Sequence, residues 1–490
     1  MKEKSVKRNY VYNVIYQVLS IIIPIITMPY VSRVLGADGI GLFSYESSIT
    51  SYFVLAATLG TTVFGQRAVS YMQGDIESRS REFWELFLFR VCTTAIALVG
   101  YLFAFLFILK DNGTLYMILA LNILGVAFDI SWFFQGMEEF GHVVLHHIIF
   151  RVLNLVAIFL FVKTADDLYL YALILCGFNL LGNVSFWFML KGKICKVKGI
   201  KPFRSIKEII QFFIPTIATQ VYTVLDKSMI GWITGSNAEN GYYEQSEKIA
   251  KIALTVVTAL GTVMIPRISR FFKEGNAEMM RKFLYKSYRF TFLLAVPITL
   301  GLIAVSDVLI PVFLGDGYEP CIRLLQVFSL LVICIGLSNA NGMQLFVPTG
   351  RQNLLTVTVT VGAVVNVALN AVLIPFYGSL GACIATVVAE AAVTITGFIF
   401  IIRAKDLNVL KIFASAWKYF VAGAVMFALV NFAIKPFVKV GVWGLAILIL
   451  SGIAIYFLSL VLLRDDEMKE FFGEIAGKFR RKNVEEKESE

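Results

Sequence analysis

The chain has 490 residues, of which 58% are hydrophobic and only 16% are charged, whereas soluble domains carry roughly 25% charged residues. Its net charge of +10 would suit nucleic acid in a soluble protein, but the basic residues here lie between apolar runs. This composition excludes a soluble enzyme and argues against a nucleic-acid partner. It predicts an all-α polytopic membrane protein.

Apolar runs of about 20 residues, long enough to cross a hydrocarbon core roughly 30 Å thick, recur along most of the chain. They predict about fourteen transmembrane helices. We place them near residues 10–32, 41–65, 83–108, 114–135, 142–163, 168–190, 208–233, 244–266, 284–314, 321–347, 353–375, 379–402, 412–434 and 440–463. The first is interpreted as an uncleaved helix, because no small-residue cleavage site follows it.

The distribution of Lys and Arg between these helices predicts the orientation. About thirty basic residues fall at the termini and in the loops on their side, against about five on the opposite side. Because Lys and Arg near span ends are retained in the cytoplasm, both termini are expected there.

Short motifs recur at an offset of about 200 residues, which indicates an internal duplication. Residues 35–45 resemble residues 234–245, pairing Gly36 with Gly235 and Gly41 with Gly241, and residues 60–67 and 73–75 resemble residues 261–267 and 274–276. A shift of six helices preserves orientation, so the halves are expected to be parallel repeats around a central cavity that forms the substrate path. The predicted divisions are 1–200, 201–405, 406–463 (two added helices) and 464–490 (a cytoplasmic tail).

Prolines fall in the first helix of each predicted half. Pro24 and Pro29 interrupt helix 1 and Pro215 interrupts helix 7, where freed carbonyls and bends favour gating. The alternative is that they are tolerated, as prolines commonly are in membrane helices.

Several motifs resemble those of a known family. Arg33-Val-Leu-Gly-Ala-Asp-Gly-Ile-Gly-Leu-Phe43 and Trp132-Phe-Phe-Gln-Gly-Met-Glu-Glu139 resemble signatures of bacterial polysaccharide exporters of the Wzx type. Leu225-Asp-Lys-Ser-Met-Ile-Gly231, Gly241-Tyr-Tyr, Glu247-Lys-Ile and Ile265-Pro-Arg-Ile-Ser269 are similar to motifs of the family's second half. The resemblance covers roughly residues 8–402.

This resemblance implies a flippase of the multidrug/oligosaccharidyl-lipid/polysaccharide exporter superfamily in a bacterial cytoplasmic membrane. Such proteins move undecaprenyl-diphosphate-linked oligosaccharides, the precursors of capsule, O-antigen or teichoic acid, from the inner to the outer leaflet by rocking two six-helix bundles. The resemblance also implies glycan polymerases and glycosyltransferases as partners, beside the lipid-linked glycan and membrane lipids.

Ionisable residues inside the predicted helices are the site candidates, since each costs at least about 2.5 to 3.5 kcal/mol at the centre of a helix unless it faces a cavity or a partner. Under the resemblance, cationic side chains hold the diphosphate through charge-assisted hydrogen bonds. The cationic candidates are Arg90, Arg151, Lys227 and Lys248.

The acidic candidates compete for those cations, couple an ion gradient or pair helices. They are Asp129, Asp226, Glu247 and Glu390. In the pairing alternative, Asp129 neutralises Arg90 or Arg151, and Asp226 neutralises Lys248. Both alternatives stay open at the level of the sequence.

No cofactor or metal site is predicted. His142, His146 and His147 cluster, but no carboxylate or thiol is spaced to complete a metal site, and the six cysteines are scattered. Gly74 and Gly275 lack the following GK[ST] of an ATP-binding loop. A gradient of H+ or Na+, or the membrane potential, is therefore the expected source of energy.

Two rival functions are considered, the second of which comes from another class of protein. A drug or cation antiporter of the same superfamily would use an acidic cation site, for which Asp129, Asp226 and Glu390 are available. A membrane polysaccharide polymerase or ligase would need a sizeable catalytic outer loop, which the short predicted outer loops do not supply.

Overall fold

The computed structural model describes the backbone of residues 6–107 and 112–465. Side chains are described within these ranges except at residues 6–17, 20, 142, 212, 214–222, 260, 262 and 263. The described chain is built from helices and turns and contains no β-strand, which confirms the predicted all-α class.

Sixteen α-helices cover the described chain, with short 3-10 and π-helical segments between some of them. They are α1 Val6–Thr58, α2 Thr61–Tyr71, α3 Ile76–Phe107, α4 Gly113–Phe128, α5 Ser131–Gly136, α6 Phe140–Phe161, α7 Leu168–Ser185, α8 Ile206–Thr234, α9 Asn237–Lys273, α10 Ala277–Phe313, α11 Pro320–Phe328, α12 Leu330–Asn339, α13 Gln352–Ala404, α14 Val409–Ala414, α15 Trp417–Ala428 and α16 Val442–Leu462.

Ten helical segments of the described chain are long and apolar enough to cross a membrane, or eleven with the bent pair Asn237–Ala259 and Met264–Lys273. Two of the ten have 51 and 53 residues, more than twice the roughly 20 that one crossing needs. Each contains a glycine with positive φ, Gly36 at 69° and Gly378 at 56°, where the helical dihedrals are broken. The fold is therefore that of a polytopic membrane protein, while the number fourteen stays a prediction.

Several predicted spans are interrupted where a polar group or a loosened turn intervenes. The span predicted at 114–135 is α4 followed by α5, and the chain leaves the helix at Asp129. The span predicted at 412–434 consists of the end of α14, then α15 and a π-helical turn, Leu429–Ile434. Pro24 and Pro29 lie inside α1 without ending it, and the break at Gly36 falls between the spans predicted at 10–32 and 41–65.

By its internal contacts the chain forms two compact units. The first unit comprises residues 1–245, 314–317 and 366–382, and the second comprises residues 246–313, 318–365 and 383 onward. The predicted boundaries at 200 and 405 describe the duplication and stay predictions. From residue 466 the predicted tail lies outside the described residues.

The first unit contains a close crossing between the two copies of the repeated glycine motif. A β-carbon on Gly41 would lie 1.7 Å from the backbone oxygen of Asn237, and one on Gly241 would lie 2.1 Å from the backbone oxygen of Ala37. These contacts are reciprocal, since each glycine meets the residue four positions before the other. Such reciprocity is expected where two copies of one surface meet about a twofold axis.

Loops that the charge pattern places on one side of the membrane meet in the first unit. Gln73 Nε2 donates to the carbonyl of Gly136 (2.8 Å), and Arg79 Nη2 donates to the carbonyl of Lys193 (2.7 Å). Lys193 in turn pairs with Glu139. These three loops therefore lie together, as the charge pattern predicts, while the topology and the side on which the termini lie stay predictions.

In the second unit, α15 and α16 pack against α10. Tyr456 of α16 is buried and its hydroxyl donates to the carbonyl of Leu293 (3.0 Å), while Tyr419 of α15 belongs to the same apolar core as Phe292 and Val296. The two helices predicted as an addition to the repeats are thus part of this unit.

Candidate functional site

A polar cavity of about 420 Å³ lies inside the first unit, among helices whose outer faces are apolar. Its lining contains hydroxyls, amides, a histidine and one pair of opposite charges. The lining residues are Ser47, Thr50, Ser51, Val54, Thr58, Thr62, Arg90, Asn122, Gly125, Val126, Asp129, Ser131, His147, Asn179 and Asn183.

Arg90 and Asp129 form the charged pair of this cavity. Arg90 is only 2% exposed, and its Nη1 lies 3.6 Å from the Asp129 carboxylate. Nη1 also donates to the backbone carbonyl of Asp129, and Nη2 donates to Thr62 Oγ1 (2.9 Å). Of the two predicted partners of Asp129, the structure brings Arg90 to it, and a role of Arg90 in binding phosphate stays a prediction.

The helix break at Asp129 explains why Arg90 is held there. Where the chain leaves α4, the Asp129 carboxylate accepts a hydrogen bond from the backbone N–H of Ser131 (2.9 Å), the first residue of α5, as in an Asx-turn. The carbonyl of Asp129 is free of the α4 ladder and accepts from Trp132 Nε1 (3.1 Å) as well as from Arg90. A broken helix inside lipid must satisfy such groups internally, and Arg90 does so here.

Asparagine side chains form the wall facing this pair. Asn183 Nδ2 donates to the carbonyl of Gly125 (3.0 Å), and Asn179 Nδ2 lies 3.4 Å from Asn122 Oδ1. Asn179 is exposed and lines the cavity, whereas its neighbour Leu181 points out of the unit with 56% of its surface exposed. Reasoning from the sequence missed these amides because only ionisable residues were taken as site candidates.

The remaining charged candidates of the first half lie elsewhere. Arg151 on α6 is half-buried and is not among the residues that line this cavity. Glu46 on α1 is 1% exposed, and its Oε2 has no hydrogen-bond partner within the described part of the chain. Sequence reasoning missed Glu46, although a carboxylate inside the span predicted at 41–65 was a sufficient signal.

Asp226 and Lys227, on α8 in the first unit, each have a defined polar partner. Asp226 is 3% exposed and accepts hydrogen bonds from Tyr243 Oη and Asn370 Nδ2, both at 2.5 Å. Lys227 pairs with Glu244, which also accepts from Ser44 Oγ (2.9 Å). These contacts tie α8 to other segments of its own unit.

Three predicted residues belong to the second unit. Glu247 is buried on α9 and pairs with Lys251 one helical turn later (2.6 Å), while Lys248 is exposed. Glu390 is half-buried on α13. Pairing of Lys248 with Asp226, and ion coupling by Glu247 or Glu390, stay predictions.

Gating by the prolines is equally a prediction. Pro24 and Pro29 lie in the continuous part of α1 before Gly36, and Pro215 lies outside the residues whose side chains are described. Among the described residues, no group of three or more His, Cys, Asp or Glu side chains could hold a metal ion.

Apolar helices that are lined on one side by a polar cavity are typical of a membrane transporter. Residues 6–272, more than half of the chain, match the model of the family described as "Polysaccharide biosynthesis protein". The chain belongs to that family.

The names of similar proteins agree with a membrane transporter. The chain is 24% identical to a putative O-antigen transporter of Shigella dysenteriae, over 76% of this chain and 94% of the relative, and 22% identical to the one of Escherichia coli K12, over 80% and 95%. These comparisons confirm the predicted Wzx-type resemblance. Both relatives are named as transporters, in agreement with the prediction that the chain is not an enzyme.

The fold is similar to that of a solved flippase. The structure of the lipid II flippase MurJ in an inward closed conformation superposes with a TM-score of 0.72, covering 93% of this chain and 99% of that chain at 15% identity. At this identity the likeness concerns the fold alone.

Proposed function

We propose that this protein is a flippase that moves a polyprenyl-diphosphate-linked oligosaccharide, a precursor of an envelope polysaccharide, from the inner to the outer leaflet by alternating access. The family, the O-antigen transporters and the lipid II flippase among the similar proteins support a lipid-linked glycan as substrate.

The observation that carries the proposal is the polar cavity inside the first unit. A sugar that leaves water loses hydrogen bonds, and each polar group left unpaired in an apolar medium costs roughly 2 to 7 kcal/mol. The amides of Asn122, Asn179 and Asn183 and the hydroxyls of α1 supply donors and acceptors of the kind that sugars use. A cavity for an apolar drug would be lined mainly by hydrophobic and aromatic side chains instead.

We place the protein in the bacterial cytoplasmic membrane with both termini in the cytoplasm, which the loop charges support. Transport draws on a gradient of H+ or Na+ or on the membrane potential, since the sequence has no ATP-binding glycine loop. Polymerases and glycosyltransferases that make and consume the glycan are the expected partners.

Depletion of the protein in its own cells tests this function. We expect the polyprenyl-linked glycan to accumulate where an impermeant glycan-binding probe cannot reach it on intact cells, and the surface polymer to be lost. Re-expression of the unmodified chain is the control and should restore both. If depletion left the surface polymer intact but abolished efflux of a drug or cation, the antiporter would be the better account.

A further inference from the structure

A strongly basic cleft lies in the second unit. Its volume is about 590 Å³, and five cations, Arg281, Lys282, Lys286, Arg289 and Lys411, line it together with one carboxylate, Glu278. Like charges spaced along one helix face repel each other. The described lining of this cleft carries an excess of positive charge, which suits an anion.

The cations of the cleft come from two segments that are fixed to each other. Arg281, Lys282, Lys286 and Arg289 follow the spacing of one face of α10, and Lys411 lies on α14. Tyr285 of α10 joins the segments, because its hydroxyl accepts from the backbone N–H of Asn408 (2.9 Å) and its ring lies 5.2 Å below Lys411 Nζ. The cationic walls are thus held in place by contacts within the unit.

Apolar side chains stand exposed beside these cations. On α14, Ile412 is fully buried, whereas Leu410 is 81% exposed, and Trp417 at the start of α15 is 52% exposed. A second cavity of about 490 Å³, lined in part by Ile402 and Leu410, shares Arg281 and Tyr285 with the cleft. Apolar side chains, Trp and Lys together are typical of a segment at the membrane interface.

We propose that this cleft binds the phosphate of an anionic phospholipid, whose acyl chains lie against Leu410 and the neighbouring apolar side chains. The cations alone would suit any phosphate, and the adjoining apolar surface selects a lipid. The loops before α10 and before α14 are predicted to be cytoplasmic, so the lipid belongs to the inner leaflet. This site does not depend on the proposed flippase activity.

Thermal unfolding of the purified full chain tests the proposal, with phosphatidylglycerol, phosphatidylcholine or inorganic phosphate added to the detergent. We expect phosphatidylglycerol to raise the unfolding temperature, and the two other additives to have little effect. The variant Lys282→Gln/Lys286→Gln/Lys411→Gln should need at least roughly tenfold more phosphatidylglycerol for the same stabilisation. Its matched control, Lys191→Gln/Lys196→Gln/Lys198→Gln, removes three exposed lysines from a loop of the first unit and should behave as the unmodified chain.

An equal response of both triple variants would overturn the proposal, as would equal stabilisation by phosphatidylcholine. Stabilisation by inorganic phosphate that matches phosphatidylglycerol would show a free-anion site instead. Native mass spectrometry provides a second readout if the variant folds poorly, since the single change Lys286→Gln should lower the number of retained phosphatidylglycerol molecules. Leu410→Ser should do the same while leaving the charges in place, and unchanged lipid retention in both would contradict the site.

Discussion

Gly41 lies so close to Asn237 that a β-carbon on the glycine would come within 1.7 Å of the Asn237 backbone oxygen. Backbone cannot move aside as the end of a flexible side chain can. We therefore expect Gly41→Ala, and Gly241→Ala on the reciprocal contact, to reduce strongly the amount of folded protein in the membrane.

Two further glycines provide matched controls for this prediction. Gly39 lies two residues from Gly41 and an added β-carbon would meet only ordinary contacts, and Gly177 on α7 has open space around it. Gly39→Ala and Gly177→Ala should fold normally by fluorescence-detected size exclusion. Normal folding of Gly41→Ala would show that the crossing is looser than described.

The Arg90 and Asp129 pair leads to a second prediction. Arg90→Gln removes the cation beside the partly exposed Asp129 carboxylate and leaves the Asp129 backbone carbonyl with one donor fewer. The thermal stability of this variant should fall, and Asp129→Asn in the same chain should restore part of it by removing the stranded charge. Arg90→Lys should be intermediate, since Lys returns the charge without the planar fork that reaches both Asp129 and Thr62.

A different pattern would indicate a role in substrate binding. If Arg90→Gln folded with unchanged stability but no longer transported, and Asp129→Asn gave no relief, the guanidinium would act on the substrate rather than on the helix break.

The amide wall supplies a third prediction. Asn179→Leu keeps a similar volume but removes a donor and an acceptor from the cavity, so glycan transport should fall on the order of tenfold while the protein remains folded. Leu181→Ala, on the outer face of the same helix, should leave transport unchanged. Equal transport rates for Asn179→Leu and the unmodified chain would remove the cavity from the transport path.

Orientation is the fourth prediction. Lys198 and Asp316 are both exposed, and the loop charges place Lys198 in the cytoplasm and Asp316 outside. Single cysteines at these positions, in a chain with Cys195 and the other native cysteines replaced, should react with an impermeant thiol reagent on intact cells only at position 316. Labelling at position 198 would reverse the topology.

Much of this architecture follows from local physical signals. Apolar run length predicts the membrane helices, and the duplicated motif pairs Gly41 with Gly241, the two glycines that the structure then shows at the crossing. The free-energy cost of a charge in lipid predicts Arg90 and Asp129 as site candidates, and the structure shows them in contact. Each of these predictions depends only on the residues of the segments themselves and not on which segments pack together.

The parts that sequence did not predict depend on which segments meet. The approach of Asn122 on α4 to Asn179 on α7 gives the cavity its amide wall, yet neither residue stands out within its own helix. The π-helical turns at residues 340–346 and 429–434 and the break at Asp129 were likewise not predicted from the sequence.

Transport by the purified protein tests the central claim most directly. The unmodified chain would be reconstituted into vesicles with undecaprenyl-diphosphate-linked oligosaccharide in one leaflet, without ATP, and appearance of the glycan on the other side would be followed with an impermeant glycan-binding probe. We predict transfer well above that in protein-free vesicles and above that given by Asn179→Leu. Two results would contradict the proposed function. In one, the glycan stays in its leaflet although the vesicles have a gradient of H+ or Na+ and a membrane potential. In the other, the glycan moves only when ATP is supplied.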